Sequence, residues 1–523
     1  MPKVFEYGKP NLTLGTALEI SRREIRGVLT NDVREKVQRS RNIVEEIVHK
    51  KKITYGINTG FGPLCTTLID EEDTKKLQQN LLKSHSVGVG KILDPEIARL
   101  MLILKIQSLT QGYSGVSIAT LERILWHIEQ DIIPCVPEQG SVGASGDLAP
   151  LAHLFLPLIG LGKVFYHGEK IPTSKLFQLL NLEPVDLGPK EGLALINGTQ
   201  YMSANAALFL DKFQNCLDHA DIIAAMDLEA MMGSVKSFDA ALHVLRPYSG
   251  SIYVAERMRK LTKDSEIVES HKNCTRVQDP YSLRCIPQVH GASRNAWLHL
   301  KEILHTEINS VTDNPIIFSA EKTITGGNFH GQLLALPIDY AALAASELGN
   351  ISDRRIYLSL TESVEGLPKL LMKNTGLNSG FMIPQYTSAA LVSENKSLCY
   401  PASADSIPTS LGQEDHVSMG SISARKALRI VENLENILAI ELFTASQGFE
   451  FRKPLKSGLL LDRSFEFIRT KIDFAENDRI FADDIQTAGD IIRNKELTTF
   501  LKEVSAEHKI DFKNADHEIF GIY

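Results

Sequence analysis

The chain has 523 residues, of which 43% are hydrophobic and 23% are charged, and its formal net charge is −8. This composition is typical of a folded protein and argues against long disordered segments. The negative charge offers no basic surface for nucleic acid, so no nucleic-acid partner is expected. The N-terminal segment lacks the apolar core of a secretory signal, and no apolar stretch is long enough to span a membrane. We therefore expect a cytoplasmic protein without a membrane partner.

Cysteine usage agrees with that expectation. Six cysteines are scattered without CxxC spacing, at positions 65, 135, 216, 274, 285 and 399. Such scatter fits a reducing compartment and argues against a disulfide framework. The sequence contains no HExxH motif and none of the spacings of zinc sites, so no metal ligands are predicted.

Long apolar segments predict a mainly α-helical protein. Asp94 followed by Pro95 is typical of a helix start, and the apolar run after it predicts a helix that ends near Gly112. Apolar periodicity predicts further helices, in chain order, at 203–232, 339–360 and 423–447. Strand-like segments are short and include 164–166 and 315–318. We expect a smaller mixed domain at 1–110 and a bundle of long helices at 111–523.

The last of these helices has a two-sided pattern. Its apolar residues recur at three- and four-residue steps, at Leu428, Val431, Leu434, Leu438 and Leu442. This spacing places them on one face of a helix. The pattern predicts that the charged residues Arg429, Glu432 and Glu435 lie on the opposite, exposed face.

The segment 140–153 is the most informative part of the sequence, with Ala144, Ser145 and Gly146 at its centre. Glycine and other small residues let a backbone fold tightly onto itself. If the Gly146 nitrogen bonds to the Ala144 carbonyl carbon, loss of water from the ring and from Ser145 leaves a conjugated methylene. That group is an electrophile that no ordinary side chain supplies. The alternative is a glycine-rich turn before an apolar helix.

Asp147 follows this tripeptide directly. It is expected to take part in ring formation or to support the loop. An N-cap role for the helix that begins near Leu148 is the alternative.

Glycine-rich and polar segments also separate the other predicted helices. Loops of this kind on a rigid scaffold are where catalytic groups concentrate. They lie at 54–63, 84–90, 196–200, 278–285, 326–331, 378–385 and 413–419.

Taken in order, six motifs resemble one family. They are YGINTGFG at 55–62, the Ala-Ser-Gly loop, NGTQ at 197–200, QDPYSLRC at 278–285, NSGFMI at 378–383 and QEDHVSM at 413–419. They are similar to the motifs of the lyases and aminomutases that depend on a methylidene-imidazolone (MIO) group, and most similar to the histidine-specific branch. The resemblance extends from about residue 50 to residue 460.

The resemblance implies a mainly α-helical, long-helix bundle of the histidine and phenylalanine ammonia-lyase type. It also implies a homotetramer whose active sites are shared between subunits. The MIO group would form from Ala144, Ser145 and Gly146, without an external cofactor, and the partner would be a small-molecule substrate, an amino acid.

The same resemblance assigns catalytic roles to two tyrosines. Tyr281 would act as the base for the β-proton of the substrate; the alternative is a hydroxyl that is hydrogen-bonded after a proline turn. Tyr55 would lie in a loop that covers the electrophile and would move protons at the departing amine. A packing role within a mobile lid is the alternative for Tyr55.

Four residues are assigned to substrate binding by resemblance. Arg284 would hold the substrate carboxylate with two parallel hydrogen bonds, and Gln278 belongs to the same motif. Asn197 would support the carboxylate or the MIO carbonyl, although Asn-Gly is also a common turn. Phe329 matches a pocket aromatic of the family, with core packing as the alternative.

Two residues are expected to select the substrate ring. His85 occupies the selectivity position of the family and suits a polar ring, either imidazole or phenol. Glu414 accepts a hydrogen bond from an imidazole N–H but offers a phenyl ring nothing. The predicted reaction is therefore elimination of ammonia from L-histidine to give trans-urocanate. The alternatives are a tyrosine ammonia-lyase that makes p-coumarate, an aromatic aminomutase, and an inactive helical scaffold.

Overall fold

Helices dominate the structure, a computed structural model that describes residues 4–60, 62, 69, 71–273, 276–361, 364–512 and 519–522. Within these ranges, every helix is too short or too polar to cross a lipid bilayer. The helices, in chain order, are α1 Leu14–Ser21, α2 Asn31–His49, α3 Glu71–His85, α4 Pro95–Leu109, α5 Ile118–Glu129, α6 Leu148–Phe155, α7 Thr173–Leu180, α8 Glu191–Ile196, α9 Gln200–Ala230, α10 Ala240–Val244, α11 Ser249–Leu261, α12 Glu266–Ser270, α13 Tyr281–Arg284, α14 Ile286–Ile308, α15 Gln332–Ser359, α16 Met382–Leu398, α17 Gly420–Glu450, α18 Leu459–Arg469, α19 Phe481–Arg493 and α20 Glu496–Glu507.

The strands are short and form small separate sheets. They are β1 Val4–Glu6, β2 Arg26–Val28, β3 Val89–Ile92, β4 Ile133–Pro134, β5 Pro137–Gln139, β6 Lys163–Tyr166, β7 Glu169–Pro172, β8 Ile316–Ile317 and β9 Thr323–Ile324. β1 and β2 pair in parallel, with Phe5 opposite Gly27. The other pairs are antiparallel: β3 with β5, β6 with both β4 and β7, and β8 with β9.

Two 31-residue helices, α9 and α17, form the centre of the bundle. At 1.5 Å per residue each is about 46 Å long. They pack against each other and both pack against α15, and α9 also packs against α14, so α9 is buried along nearly its whole length. The main apolar core is a single packed cluster. Its members come from all parts of the chain, from Phe5 to Ile522, and lie on both sides of position 110. The domain boundary near residue 110 stays a prediction.

Several predicted helices are confirmed, and their boundaries follow from local chemistry. The Asp94 side chain accepts a hydrogen bond from the Glu96 amide at 2.8 Å and so caps α4. Helix α15 begins at Gln332, seven residues before the predicted start, because Pro337 lies inside the helix and does not begin it. Proline at this position removes one backbone hydrogen bond, and its ring crowds the carbonyl four residues earlier; packing against α14 and α17 supports the helix across this point.

The predicted exposed face of α17 is wrong at one position. The five predicted apolar residues are buried, and Arg429 and Glu432 are exposed, but Glu435 is 3% exposed. Its carboxylate accepts hydrogen bonds from Lys212 Nζ of α9 at 3.1 Å. Glu435 lies four residues after Val431 and three before Leu438, so it faces the same side of the helix as these apolar residues, and α9, α15, α16 and α19 pack around α17.

A buried charge cluster joins α9, α11 and α14. Asp221 accepts hydrogen bonds from Arg257 Nε at 2.9 Å, from Arg294 Nη2 at 2.6 Å and from His290 Nδ1 at 2.8 Å. Burial would raise the pKa of Asp221, but these partners outweigh burial and hold that pKa well below its ordinary value. The carboxylate is therefore ionised in the folded protein.

Candidate active site

The segment 140–147 forms a tight loop between β5 and α6. Ser145 and Gly146 both adopt left-handed backbone conformations, with φ of +51° and +82°. A Cβ atom on Gly146 would lie 2.1 Å from the Gly198 carbonyl oxygen. The Gly198 amide donates to the Ser145 carbonyl oxygen at 3.4 Å, and the Asp147 amide donates to the Gly198 oxygen at 2.8 Å. Only glycine fits at position 146, so two backbone segments approach each other here without a side chain between them.

Asp147 supports the loop from the opposite side. Its carboxylate accepts hydrogen bonds from the Tyr201 and Met202 amides, each at 3.0 Å, and from the Ser421 hydroxyl at 2.7 Å. Burial raises the pKa of Asp147 to about 7, although these donors act to lower it. The alternative that its side chain caps α6 is wrong, since it makes no such bond. The carboxylate instead reaches the first turn of α9, where free amides and the helix dipole favour an acceptor.

A cavity of about 450 Å³ opens beside this loop. Its volume is within the range of sites for small ligands. Five of the predicted site residues contribute to its lining: Tyr55, His85, Ser145, Asn197 and Glu414. The remaining lining is largely apolar and includes Ile69, Leu77, Leu81, Leu148, Leu193 and Ile196. A larger cavity of about 620 Å³ lies between residues 449 and 470 and contains none of the predicted site residues.

Glu414 lies at the side of the cavity and contacts Ser145 directly. Its Oε1 accepts a hydrogen bond from Ser145 Oγ at 2.8 Å. Its Oε2 accepts from Thr409 Oγ1 at 3.0 Å and from Ser410 Oγ at 2.7 Å. Ser410 and Leu411 are non-glycine residues with φ of +50° and +56°, a conformation that tertiary contacts must hold in place. One carboxylate oxygen is thus anchored by its own loop, and the other points at the Ala-Ser-Gly segment.

His85 is the last residue of α3, so it lies at a helix end and not in the predicted loop. Its Nδ1 is 3.0 Å from Ser84 Oγ. Burial lowers the pKa of His85, while the Leu81 backbone and Glu414 act to raise it. The balance favours a neutral imidazole, which can both donate and accept a hydrogen bond.

Tyr55 and Asn197 are the other predicted site residues in the cavity lining. The Tyr55 hydroxyl accepts a hydrogen bond from the Gly62 amide at 3.3 Å. Asn197 is 3% exposed and directly precedes Gly198, which contacts the Ser145 loop. Ala144 is buried against Val417 and Met419.

Tyr281, Arg284 and Gln278 form a second group, away from the cavity lining. The Arg284 guanidinium lies 4.5 Å from the centre of the Tyr281 ring. It also donates to Gln278 Oε1 and to the Asp279 carbonyl, each at 3.0 Å. Tyr281 is 69% exposed. The predicted loop at 278–285 therefore contains a one-turn helix, α13, which presents these side chains at the surface of the chain.

Phe329 lies in the turn before α15, is half-buried and does not line the cavity. The next residue, His330, stacks on His416 at a ring-centre distance of 5.6 Å. His330 Nε2 is 3.3 Å from the His416 carbonyl oxygen. The turn is thereby joined to the segment that carries Glu414.

Sequence reasoning missed a buried lysine beneath the loop. Lys105 of α4 has no exposed surface, and its Nζ donates to the Asn197 carbonyl oxygen. A signal for it was present, because Lys105 is the only charged residue between Arg99 and Glu122. A charged residue in such an apolar run must find buried partners.

Comparisons with known proteins identify the family of this chain. The family model described as aromatic amino acid lyase matches residues 12–470. A histidine ammonia-lyase of Natranaerobius thermophilus is 46% identical, over 92% of this chain and 95% of its own length. The crystal structure of histidine ammonia-lyase from Trypanosoma cruzi is similar with a TM-score of 0.90 at 37% identity, covering 99% of this chain and 97% of that chain. A tyrosine aminomutase from Streptomyces globisporus also has a TM-score of 0.90, at 34% identity, covering 96% of this chain and 99% of that chain. With its long-helix fold and its Ala-Ser-Gly loop at a cavity, this chain belongs to the aromatic amino acid lyase family.

Proposed function

We propose that this protein eliminates ammonia from L-histidine to give trans-urocanate, with an electrophile made from its own backbone. The observation that carries the proposal is the position of Glu414, whose Oε1 lies 2.8 Å from Ser145 Oγ in the cavity that also contains His85. A carboxylate at this place accepts a hydrogen bond from an imidazole N–H. The relatives named histidine ammonia-lyase support the same substrate.

The electrophile forms by cyclisation of Ala144, Ser145 and Gly146. The Gly146 nitrogen bonds to the Ala144 carbonyl carbon, and that carbonyl oxygen leaves as water. A second water takes the Ser145 hydroxyl and the hydrogen on its Cα, which leaves a methylene group. The consecutive left-handed residues Ser145 and Gly146 support this closure, because they fold the tripeptide back on itself. When formed, the MIO group supplies an electrophile that activates the substrate for loss of ammonia.

Loss of the Ser145 hydroxyl frees Glu414 Oε1 for the substrate. Thr409 and Ser410 continue to hold Oε2, so the carboxylate keeps its position. Glu414 and His85 then bind the imidazole ring. Tyr55 assists proton movement at the amine, and Asn197 supports the substrate carboxylate or the ring carbonyl.

The remaining site residues come from neighbouring subunits of a homotetramer. Tyr281 takes the β-proton, Arg284 and Gln278 bind the substrate carboxylate, and Phe329 packs against the ring. This arrangement is supported by the exposure of Tyr281 and by the absence of these four residues from the cavity lining of the described chain. An exposed apolar stripe on α15 further supports association, as unpaired apolar surface of this kind marks contact sites. The stripe consists of Leu333, Leu336, Tyr340 and Leu343.

The electrophile is tested by Ser145→Ala. This variant should lose the near-ultraviolet absorbance of the conjugated ring and nearly all turnover. Ser141→Ala, in the same loop but outside the tripeptide, is the matched control and should retain the absorbance. Unchanged turnover in Ser145→Ala would refute a self-made electrophile.

Substrate choice is tested by comparing kcat/KM for L-histidine, L-tyrosine and L-phenylalanine. L-Histidine should be preferred, and Glu414→Gln should reduce its turnover more than that of L-tyrosine. A tyrosine ammonia-lyase is the second candidate, because His85 is also able to bind a phenol. A clear preference for L-tyrosine would favour it, and equal losses in Glu414→Gln would contradict an imidazole-specific role. Chromatographic detection of β-amino acid products would identify an aminomutase.

A further inference from the structure

Lys105 is a buried charge that the proposed reaction does not use. Its Nζ donates to the Asn197 carbonyl oxygen and lies 3.4 Å from Gln200 Oε1. Keeping an ammonium group in the interior costs free energy unless its partners compensate. One of these partners is the Asn197 carbonyl, which lies beside the Ala-Ser-Gly loop.

The Asn197 carbonyl and the Gly198 amide belong to one peptide group. The carbonyl end accepts from Lys105, and the amide end donates to the Ser145 carbonyl oxygen at 3.4 Å. Hydrogen bonds in series polarise one another, so a cation on the carbonyl strengthens the donor at the other end of the peptide. Lys105, one peptide bond and the Ser145 carbonyl therefore form a chain of three polar groups.

The Ser145 carbonyl would become the carbonyl of the MIO ring, conjugated to its methylene. When a nucleophile donates an electron pair to the methylene carbon, the displaced π electrons move toward this carbonyl oxygen. A fixed backbone N–H aimed at an oxygen that gains negative charge favours such a step. We propose that Lys105 is a positioning residue that acts through the Asn197–Gly198 peptide to polarise the Ser145 carbonyl and raise the reactivity of the methylene. This inference rests on the proposed function, since it requires the ring.

The surrounding charges are compatible with this role. Burial lowers the pKa of Lys105 to about 7, Asp313 and Asp147 raise it, and Lys190 lowers it. A substantial fraction of Lys105 is therefore protonated near neutral pH. Lys190 itself is paired with Asp313 at 2.6 Å and donates to the Ser114 carbonyl at 2.9 Å.

The test measures the ring rather than turnover. Purified full-length protein is first checked for the near-ultraviolet absorbance of the ring, and the rate at which cyanide abolishes that absorbance is then measured. Cyanide is a small nucleophile that adds to a conjugated methylene without needing the side chains that bind the substrate. Lys105→Met should retain the absorbance, shift its maximum to shorter wavelength and slow cyanide addition by roughly three- to tenfold. Lys105→Arg keeps the positive charge and should remain within about twofold of the wild type.

Lys190→Met is the matched control, because it removes an equally buried lysine that does not contact Asn197. It should neither slow cyanide addition nor shift the absorbance maximum to shorter wavelength, because loss of the Lys190 charge removes a contribution that lowers the pKa of Lys105. Equal slowing in both methionine variants would overturn the proposal, since loosened packing would then explain it. An unchanged cyanide rate in Lys105→Met would also overturn it.

Gln200→Glu provides a second route if Lys105→Met does not fold. A carboxylate at position 200 attracts the ammonium away from the Asn197 carbonyl and should slow cyanide addition. An unchanged rate in this variant would contradict the proposal. Absence of ring absorbance in the wild type would instead refute the self-made electrophile, so the two failures are distinguishable.

Discussion

Replacing Gly146 by alanine should damage the loop far more than the same replacement at another left-handed glycine. Gly146 and Gly168 have nearly equal φ angles, +82° and +81°. A Cβ atom at Gly168 meets nothing within 4 Å, whereas at Gly146 it would lie 2.1 Å from the Gly198 carbonyl oxygen. The pair therefore separates the cost of the backbone conformation from the cost of the close contact.

The magnitude follows from these two contributions. An L-residue in the left-handed region costs ~1–2 kcal/mol, which both variants bear. To relieve the contact, position 146 and Gly198 must separate, which breaks the two hydrogen bonds between the segments, each worth ~1 kcal/mol. We expect Gly146→Ala to lose ~3–4 kcal/mol of unfolding free energy and Gly168→Ala ~1–2 kcal/mol.

Two measurements check this prediction. Urea denaturation gives the unfolding free energies, and the near-ultraviolet spectrum reports whether the ring has formed. Gly146→Ala should lack the ring absorbance, while Gly168→Ala should keep it. Equal stability losses, or a normal ring spectrum in Gly146→Ala, would refute the argument that backbone contact with Gly198 holds the loop in shape.

Three further predictions concern the buried charges and the subunits. The lowered pKa of Asp221 means that its stabilising contribution is present above pH ~4 and is lost as the pH falls further. Asp221→Asn should therefore have a lower unfolding free energy than the wild type at pH 7, and this free energy should decrease less steeply below pH 4. Equal decreases in the two proteins during acid denaturation would contradict this. Asp313→Asn leaves the buried Lys190 ammonium without its partner and should cost ~3–5 kcal/mol in urea denaturation, so a loss under 1 kcal/mol would show that water reaches the site. Co-expressed Ser145→Ala and Tyr281→Phe chains, each inactive alone, should recover about a quarter of wild-type activity if each site takes these residues from different subunits; mixtures that stay inactive would indicate that one chain supplies both.

The sequence predicted the family and much of the helical framework. Long apolar segments predicted the bounds of α9 and α17 to within a few residues. The prediction succeeded because a long run of apolar residues without proline or glycine is typical of a helix buried on most sides. The family prediction from the ordered motifs is confirmed by the match over residues 12–470. The roles of individual site residues stay predictions.

Other features depend on what surrounds a residue and could not be predicted from spacing. Glu435 lies four residues after Val431 and three before Leu438, so helical spacing places it beside the apolar face, but only the structure shows that Lys212 of α9 is the partner of its buried carboxylate. Asp147 has the position of an N-cap for the helix after it, yet its carboxylate binds the first turn of α9, more than fifty residues away. Such contacts depend on how distant segments pack.

The sequence by itself predicted the reaction class, because Ala144, Ser145 and Gly146 carry the atoms for an electrophile within one short segment. Tertiary structure alone decided what faces those atoms. Folding brings Glu414 to Ser145 across 269 positions of the chain and Lys105 to Asn197 across 92. It also leaves Tyr281 exposed at the surface. The physical reason is that covalent chemistry requires only neighbouring atoms, whereas hydrogen bonds and charges act through space between segments that only packing brings together.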